Sequence, residues 1–211
     1  MSPEKGSSIL SKLRKDLQSI LGPNGGADTS LFRMVFLLDD FSGSGRTYLR
    51  KEDDGKRLTG KIAKFKDQLQ SPPSLSKLVD LDDIHVGIVL YIATQHAVGH
   101  LQSLLKELFE ECARVSFDIY VMHLINSEVS LDEERDADFL ALAQNYYDSN
   151  AEDEHTRKGG TDVRRGFAEC GLPVVLSHNT PNNSMFLLWA DPDQHRIRGL
   201  FPRVSRHRSE P

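Results

Sequence analysis

The chain has 211 residues, which suits one α/β domain with a sizeable core. Its 26 Lys and Arg stand against 31 Asp and Glu, a formal net charge of −5 that argues against a nucleic-acid binder held by bulk charge. Two cysteines, Cys112 and Cys170, are too few for a disulfide framework and lack zinc-ligand spacing, so both are expected to be reduced and buried.

Residues 1–8 are polar and small, without the apolar stretch of a signal peptide. The longest apolar run, 86–93, is broken by Gly87 and falls far short of a membrane span. A cytoplasmic protein with no membrane partner is the expectation.

Ile9, Leu10, Leu13, Leu17, Ile20 and Leu21 recur at helical spacing, so residues 7–21 predict a helix, stopped by Gly22-Pro23-Asn24-Gly25-Gly26. Residues 32–38 are too short for a helix and rich in Val and Phe. They predict a strand buried on both faces, as in a parallel sheet. Asp39 to Thr47 then read as a loop at its C-terminal end. Residues 51–56 read as solvated. Leu58, Ile62, Phe65 and Leu69 mark an amphipathic helix ending before Pro72-Pro73.

Residues 84–93 predict a second buried strand, 96–113 a helix and 115–125 a third strand. Strand–helix–strand alternation implies right-handed crossovers and a parallel sheet. Residues 130–147 predict an acidic helix, 149–161 a charged loop, 164–169 a short helix and 172–176 another short strand. Residues 177–184, S-H-N-T-P-N-N-S, form a turn-rich loop, and 185–190 pack back on the domain. The expected division is 1–30 as N-terminal helix and turn, 31–194 as the α/β domain with an acidic excursion at 128–161, and 195–211 as a frayed basic tail.

Chemistry concentrates at 34–47, M-V-F-L-L-D-D-F-S-G-S-G-R-T. Ligands in open α/β sheets bind beyond the C-terminal ends of strands. Glycines let backbone approach an anion, and successive N–H groups cradle it. Carboxylates repel a bare phosphate but accept hydrogen bonds from sugar hydroxyls, so this combination suits a sugar phosphate. An ordinary Asp/Ser/Gly loop is the competing reading. No P-loop pattern is present, and Gly43 and Gly45 lack the third glycine of a dinucleotide fingerprint.

The segment resembles the phosphoribosyl-pyrophosphate (PRPP) loop of type I phosphoribosyltransferases. That pattern is an apolar strand, two acidic residues, three variable residues, Thr or Ser, Gly, any residue, and Thr or Ser. Val35 to Leu38, Asp39-Asp40, Phe41-Ser42-Gly43, Ser44, Gly45, Arg46 and Thr47 match every constrained position. The resemblance implies a three-layer, Rossmann-like α/β fold with a mostly parallel sheet. Asp39 and Asp40 would contact the ribose 2′- and 3′-hydroxyls as the catalytic pair. Ser42, Gly43, Ser44, Gly45, Arg46 and Thr47 would hold the 5′-phosphate, and Mg²⁺ would accompany PRPP. Joined with residues 178–184 and Trp189, the segment looks like the phosphoribosyltransferase-like family of bacterial conflict, or anti-phage, gene clusters. That likeness covers most of 30–190 and includes His178. Asn179, Asn182 and Asn183 would contact a base or a second phosphate; a turn bonding its own backbone is the alternative.

Type I enzymes carry a strand and a pyrophosphate loop upstream of the PRPP loop, whereas residues 1–33 here read as one helix and a turn. The sheet is therefore expected to be incomplete, through truncation or because a companion protein of the same gene cluster supplies the strand. Lys5-Gly6-Ser7-Ser8 reads as a helix cap ahead of an anion-loop remnant. The expectations are a transferase that moves a pentosyl group, a non-catalytic nucleotide sensor, or a scaffold that binds a partner through 130–161. His96 and His100 lack a third ligand, so no protein-held metal is expected. His85 and His123 read as core or edge histidines. The Asp80, Asp82, Asp83 turn and the acidic 128–138 face read as solvated, and Arg164 and Arg165 as surface ion pairs. Tail residues Arg196, Arg198, Arg203, Arg206 and Arg208 read as solubilising, with nucleic acid the weaker alternative.

Overall fold

A computed structural model describes residues 3–22, 31–52, 55–70, 76, 78–110, 114–152, 164–177 and 179–202. The turn at 23–26, Pro72-Pro73, Cys112, residues 153–161, His178, Arg203, Arg206 and Arg208 lie outside the described residues. The elements are α1 (Pro3–Leu21), β1 (Met34–Ser42), β2 (Arg50–Lys51), β3 (Leu58–Thr59), α2 (Lys61–Gln70), β4 (Ile84–Thr94), α3 (Gln95–Phe109), β5 (Val115–Ile125), α4 (Ala137–Asn145) and α5 (Phe186–Trp189). The fold is α/β, as expected: a parallel three-stranded sheet of order β1-β4-β5 with flanking helices, and a small β2-β3 hairpin. The residues 5–8 reach inside α1 and do not precede it.

Two compact units comprise the chain. The first is Met1–Asp40, Thr47–Tyr91 and Gly99–Met122; the second is Phe41–Arg46, Ile92–Val98 and His123–Pro211. In the first, Ile84, Val86, Ile88 and Leu90 of β4 are buried, as are Ile62 and Phe65 of α2 and Leu101 and Leu105 of α3. Lys66 Nζ donates to Leu108 O at 2.6 Å, tying α2 to α3, and the Phe109 and Phe117 rings lie 5.8 Å apart, fixing α3 against β5.

The start of α2 depends on one glycine. Lys61 N donates to Thr47 O at 3.2 Å and Ile62 N to Tyr48 O at 3.0 Å, which satisfies two of the donors a helix N-terminus leaves open. Gly60 makes the approach possible: its φ is +126°, and a Cβ there would lie 2.3 Å from Tyr48 O.

In the second unit, Phe186, Trp189, Ala190 and Ala151 form one buried cluster, and Ala143, Met185 and Leu188 another. Trp189 Nε1 donates to Ser184 O at 2.9 Å.

Several expectations are corrected. β1 is not buried on both faces: Met34, Phe36 and Leu38 are 54%, 50% and 73% exposed. It is an edge strand, and its other face alone is half-buried. β1 also runs through Ser42, so Asp39 and Asp40 belong to the strand and not the loop. Leu58 pairs in the hairpin instead of entering α2. The acidic helix begins only at Ala137. Asp132 Oδ1 accepts from Glu134 N and Arg135 N at 2.9 and 3.0 Å, holding the chain in a turn that competes with helix. Residues 172–176 make isolated bridges, Leu172 with Ser184 and Leu176 with Asn179, because Pro173 has no N–H for a ladder. In place of a helix at 164–169 there is a single turn with Ala168 and Glu169 at φ 57° and 53°. Residues 195–201 fold onto their own unit: the His195 ring packs 5.3 Å from Phe186, and Phe201 N donates to Leu188 O at 2.7 Å.

Gly60→Ala should lower stability by about 1–3 kcal/mol, since both the left-handed φ and the carbonyl contact are lost. Urea unfolding followed by circular dichroism measures it; a change under about 0.5 kcal/mol refutes the packing argument.

Candidate functional site

The first unit holds a carboxylate corner. Asp39, on the half-buried side of β1, accepts from the Lys61 ammonium, from the Tyr48 hydroxyl and, at 3.0 Å, from Asp40 N. Lys61 Nζ also lies 4.9 Å from the Tyr48 ring centroid, a cation–π contact. Burial pushes the Asp39 carboxyl up, but the hydrogen bonds from Lys61, Tyr48 and Asp40 outweigh it and hold it at about 2. Burial, then the hydrogen bond to Asp39 and the charges of Asp39 and Asp40, raises Tyr48, so its phenol stays a donor. Asp40 is exposed, on the opposite side of the strand.

The second unit holds residues 41–46 of the loop. Ser42 and Ser44 are buried, and Gly45 takes φ 74°. Ser44 Oγ accepts from Arg46 N at 3.3 Å, and Thr94 Oγ1 donates to Gly43 O at 2.5 Å while accepting from Ala97 N at 2.9 Å. Ser42 Oγ is buried with no hydrogen-bond partner among the described residues. A Cβ on Gly43 would lie 2.5 Å from Asn183 Cγ, so only glycine fits.

Beside Gly43 and Thr94 lies a cleft of about 250 Å³, lined also by His96, Ser127, Ser130, Arg165 and Cys170. Arg165 donates to Leu131 O at 2.8 Å and pairs with Glu133 at 3.2 Å, but its Nε is buried without a partner. With Asn126 and Glu169 on the same lining, these groups suit a polar ligand. The Cys170 thiol is disfavoured from ionising. Burial raises its thiol despite the Asn183 hydrogen bond and the Arg46 charge, and the thiolate is the reactive form.

The three asparagines do not themselves line that cleft, although Asn183 packs behind Gly43 and Cys170, which do. Asn183 is buried and donates to Phe167 O at 3.1 Å and Cys170 Sγ at 3.3 Å. Asn182 O accepts from Phe167 N at 2.6 Å, and Asn179 Oδ1 accepts from Thr180 N at 2.9 Å. Lys61, Tyr48 and Thr94 carried no sequence signal as site residues, because their partners are remote in the chain, whereas Arg165 reads from sequence as a surface ion pair that could reach a phosphate. His96 lines the cleft, while His100 Nε2 bonds Leu49 O at 2.8 Å. Among the described residues no group of three or more metal-ligating side chains occurs, nor any helix long and apolar enough to cross a membrane.

Lys61→Met should let the Asp39 titration, read by carboxyl-carbon NMR, rise from about 2 toward 3.8 or above. The folded value lies below the ordinary one, so the stabilisation is complete above about 3.8 and lost as pH falls through about 2. Lys61→Met should therefore cost under about 1 kcal/mol at neutral pH, given solvent screening, with the deficit vanishing near the acid end of that window. An unmoved titration refutes the pairing. Gly43→Val should unfold the loop and lower Tm by several degrees, as scanning calorimetry would show.

No curated protein and no solved structure matches the chain. The family model PRTase-CE matches residues 2–203, nearly the whole length. With its strand-borne aspartates, glycine-tight loop and parallel α/β sheet, the chain belongs to the PRTase-CE family and is phosphoribosyltransferase-like.

Proposed function

We propose that the chain binds PRPP or a ribonucleotide through Asp39 to Thr47. The observation that carries this reading is the loop itself, whose constrained positions match the PRPP pattern and whose Gly43 and Gly45 occupy backbone that demands glycine. Asp39 and Asp40 accept the ribose hydroxyls. Ser42, Gly43, Ser44, Gly45, Arg46 and Thr47 receive the 5′-phosphate. Buried Ser42 Oγ, which lacks a hydrogen-bond partner among the described residues, supports a ligand-facing role for this stretch. Asn179, Asn182 and Asn183 shape the neighbouring loop, with base contact their proposed further role.

Mg²⁺ would enter on the pyrophosphate of PRPP. It screens the leaving group's charge. In transfer, the acceptor base forms a bond to the ribose C1, the bond from C1 to the pyrophosphate oxygen breaks, and pyrophosphate leaves with the electron pair. The protein's part is positioning and electrostatics.

A second reading has its own support. The described residues upstream of β1 form α1, and not the strand and pyrophosphate loop of type I enzymes. That favours a module that binds the nucleotide and senses it or assembles on it without turnover. A role in a bacterial defence system, alongside a companion protein, fits either reading.

Isothermal titration with PRPP and Mg²⁺ should give saturable binding, weakened at least about tenfold by Asp39→Asn/Asp40→Asn, equal to about 1.4 kcal/mol. No wild-type binding, or binding unchanged in the double variant, overturns the reading. Radiolabelled PRPP with a panel of bases separates the two forms: pyrophosphate release establishes the transferase, and binding without release establishes the sensor.

A further inference from the structure

The first unit leaves one face of its sheet exposed. Side chains alternate along each strand, so Met34, Phe36 and Leu38 share that face with Tyr91, Tyr120 and Met122. Contacts fix the assignment. The Phe36 ring lies over Gly87, where a Cβ would meet it at 2.5 Å and Tyr120 at 3.4 Å, and His85 Nδ1 pairs with Ser116 Oγ at 2.9 Å. The six apolar side chains are 41–73% exposed. Together they present on the order of 600 Å² of apolar surface, the upper limit for a monomer's largest patch. A parallel sheet is ordinarily covered on both faces.

The same unit carries an amphipathic helix whose apolar side is largely exposed. In α1, Ile9, Ile20 and Leu21 are 40%, 76% and 52% exposed, and Leu13 and Leu17 are half-buried. With 19 residues, α1 is about 28 Å long, and β5 with 11 is about 36 Å, so the helix can cover most of the length of the face. The charges are complementary. Between Lys12 and Asp16, α1 carries three cations against one acid, while the outward positions of the three strands carry Asp118 in β5 and no lysine or arginine, Asp40 near the end of β1 being left to the proposed ribose contact. Asp118 has His85 at 3.6 Å on its own face.

We propose that this face is covered by α1 of a second copy of the chain, each protomer lending its helix to the other about a two-fold axis. The chain's own α1, in its position here, leaves the face exposed. A reciprocal exchange covers both faces and both helices at once, and two such contacts reach the roughly 1,600 Å² of a standard interface.

The test uses the full chain with Cys112→Ser and Cys170→Ser. Met122→Cys and Leu17→Cys are introduced into separate proteins, one isotopically labelled, which are mixed and oxidised. Mixed-mass disulfide dimers should dominate, and the wild type should sediment with twice the protomer mass. Met122→Asp should restore the protomer mass with an unchanged far-UV circular dichroism spectrum. A wild type that stays monomeric overturns the proposal. So does an intramolecular disulfide in dilute Leu17→Cys/Met122→Cys, or a dimer that forms no mixed disulfide.

Discussion

The second unit is organised around Asn183. Its side chain fills the space a Cβ on Gly43 would need, and its amide donates to Phe167 O and Cys170 Sγ. On its other side, a Cβ on Gly166 would lie 2.2 Å from its carbonyl oxygen. One buried polar residue thus sets the positions of the glycine loop, the turn at 166–171 and the segment leading into α5. A buried amide is tolerated only when its donors are used, and these are. The loop geometry is therefore fixed by a residue about 140 positions away in the chain, a distance no local pattern spans.

Much of the first unit could be read from residue order. Residues 84–94 and 115–125 are β-branched and aromatic, and the sheet uses both as strands. The apolar spacing of α2 and α3 survives folding, since Ile62, Phe65, Leu101 and Leu105 are buried. The failures share a cause. A run such as Val35-Phe36-Leu37-Leu38 looks doubly buried because it is uniformly apolar, but at an edge one side of it faces out. Pro173 and Asp132 show the reverse, where one residue's hydrogen-bonding chemistry overrides a favourable apolar pattern.

The site was legible in part. The motif located the strand, the aspartates and the loop, because glycine and serine leave a local signature wherever backbone must turn tightly. Lys61 and Tyr48 left none. They reach Asp39 because the hairpin and Gly60 return the chain to it, and a lone Lys at a helix start has no signal of its own. Asn183 stood out in the sequence as an amide suited to a ligand, and its structural part, donating to Phe167 O and Cys170 Sγ, left no local signal.

The environment of Asp39 also bears on what kind of chemistry it can do. A general base works best with a pKa near the operating pH, and Asp39 is held at about 2 by Lys61, Tyr48 and Asp40 N. At neutral pH it is an ionised acceptor that does not take up a proton readily. Tyr48 is raised and remains a donor, so the pair does not exchange roles. Such a carboxylate suits the binding of hydroxyl hydrogens, where its charge is constant and its direction fixed by three hydrogen bonds. Lys61 has a second consequence, because it offsets one of the two adjacent negative charges. Without that compensation Asp39 and Asp40 would repel an incoming phosphate ester. With it, the corner keeps its acceptors and carries less net negative charge, which lowers its repulsion of any anionic group.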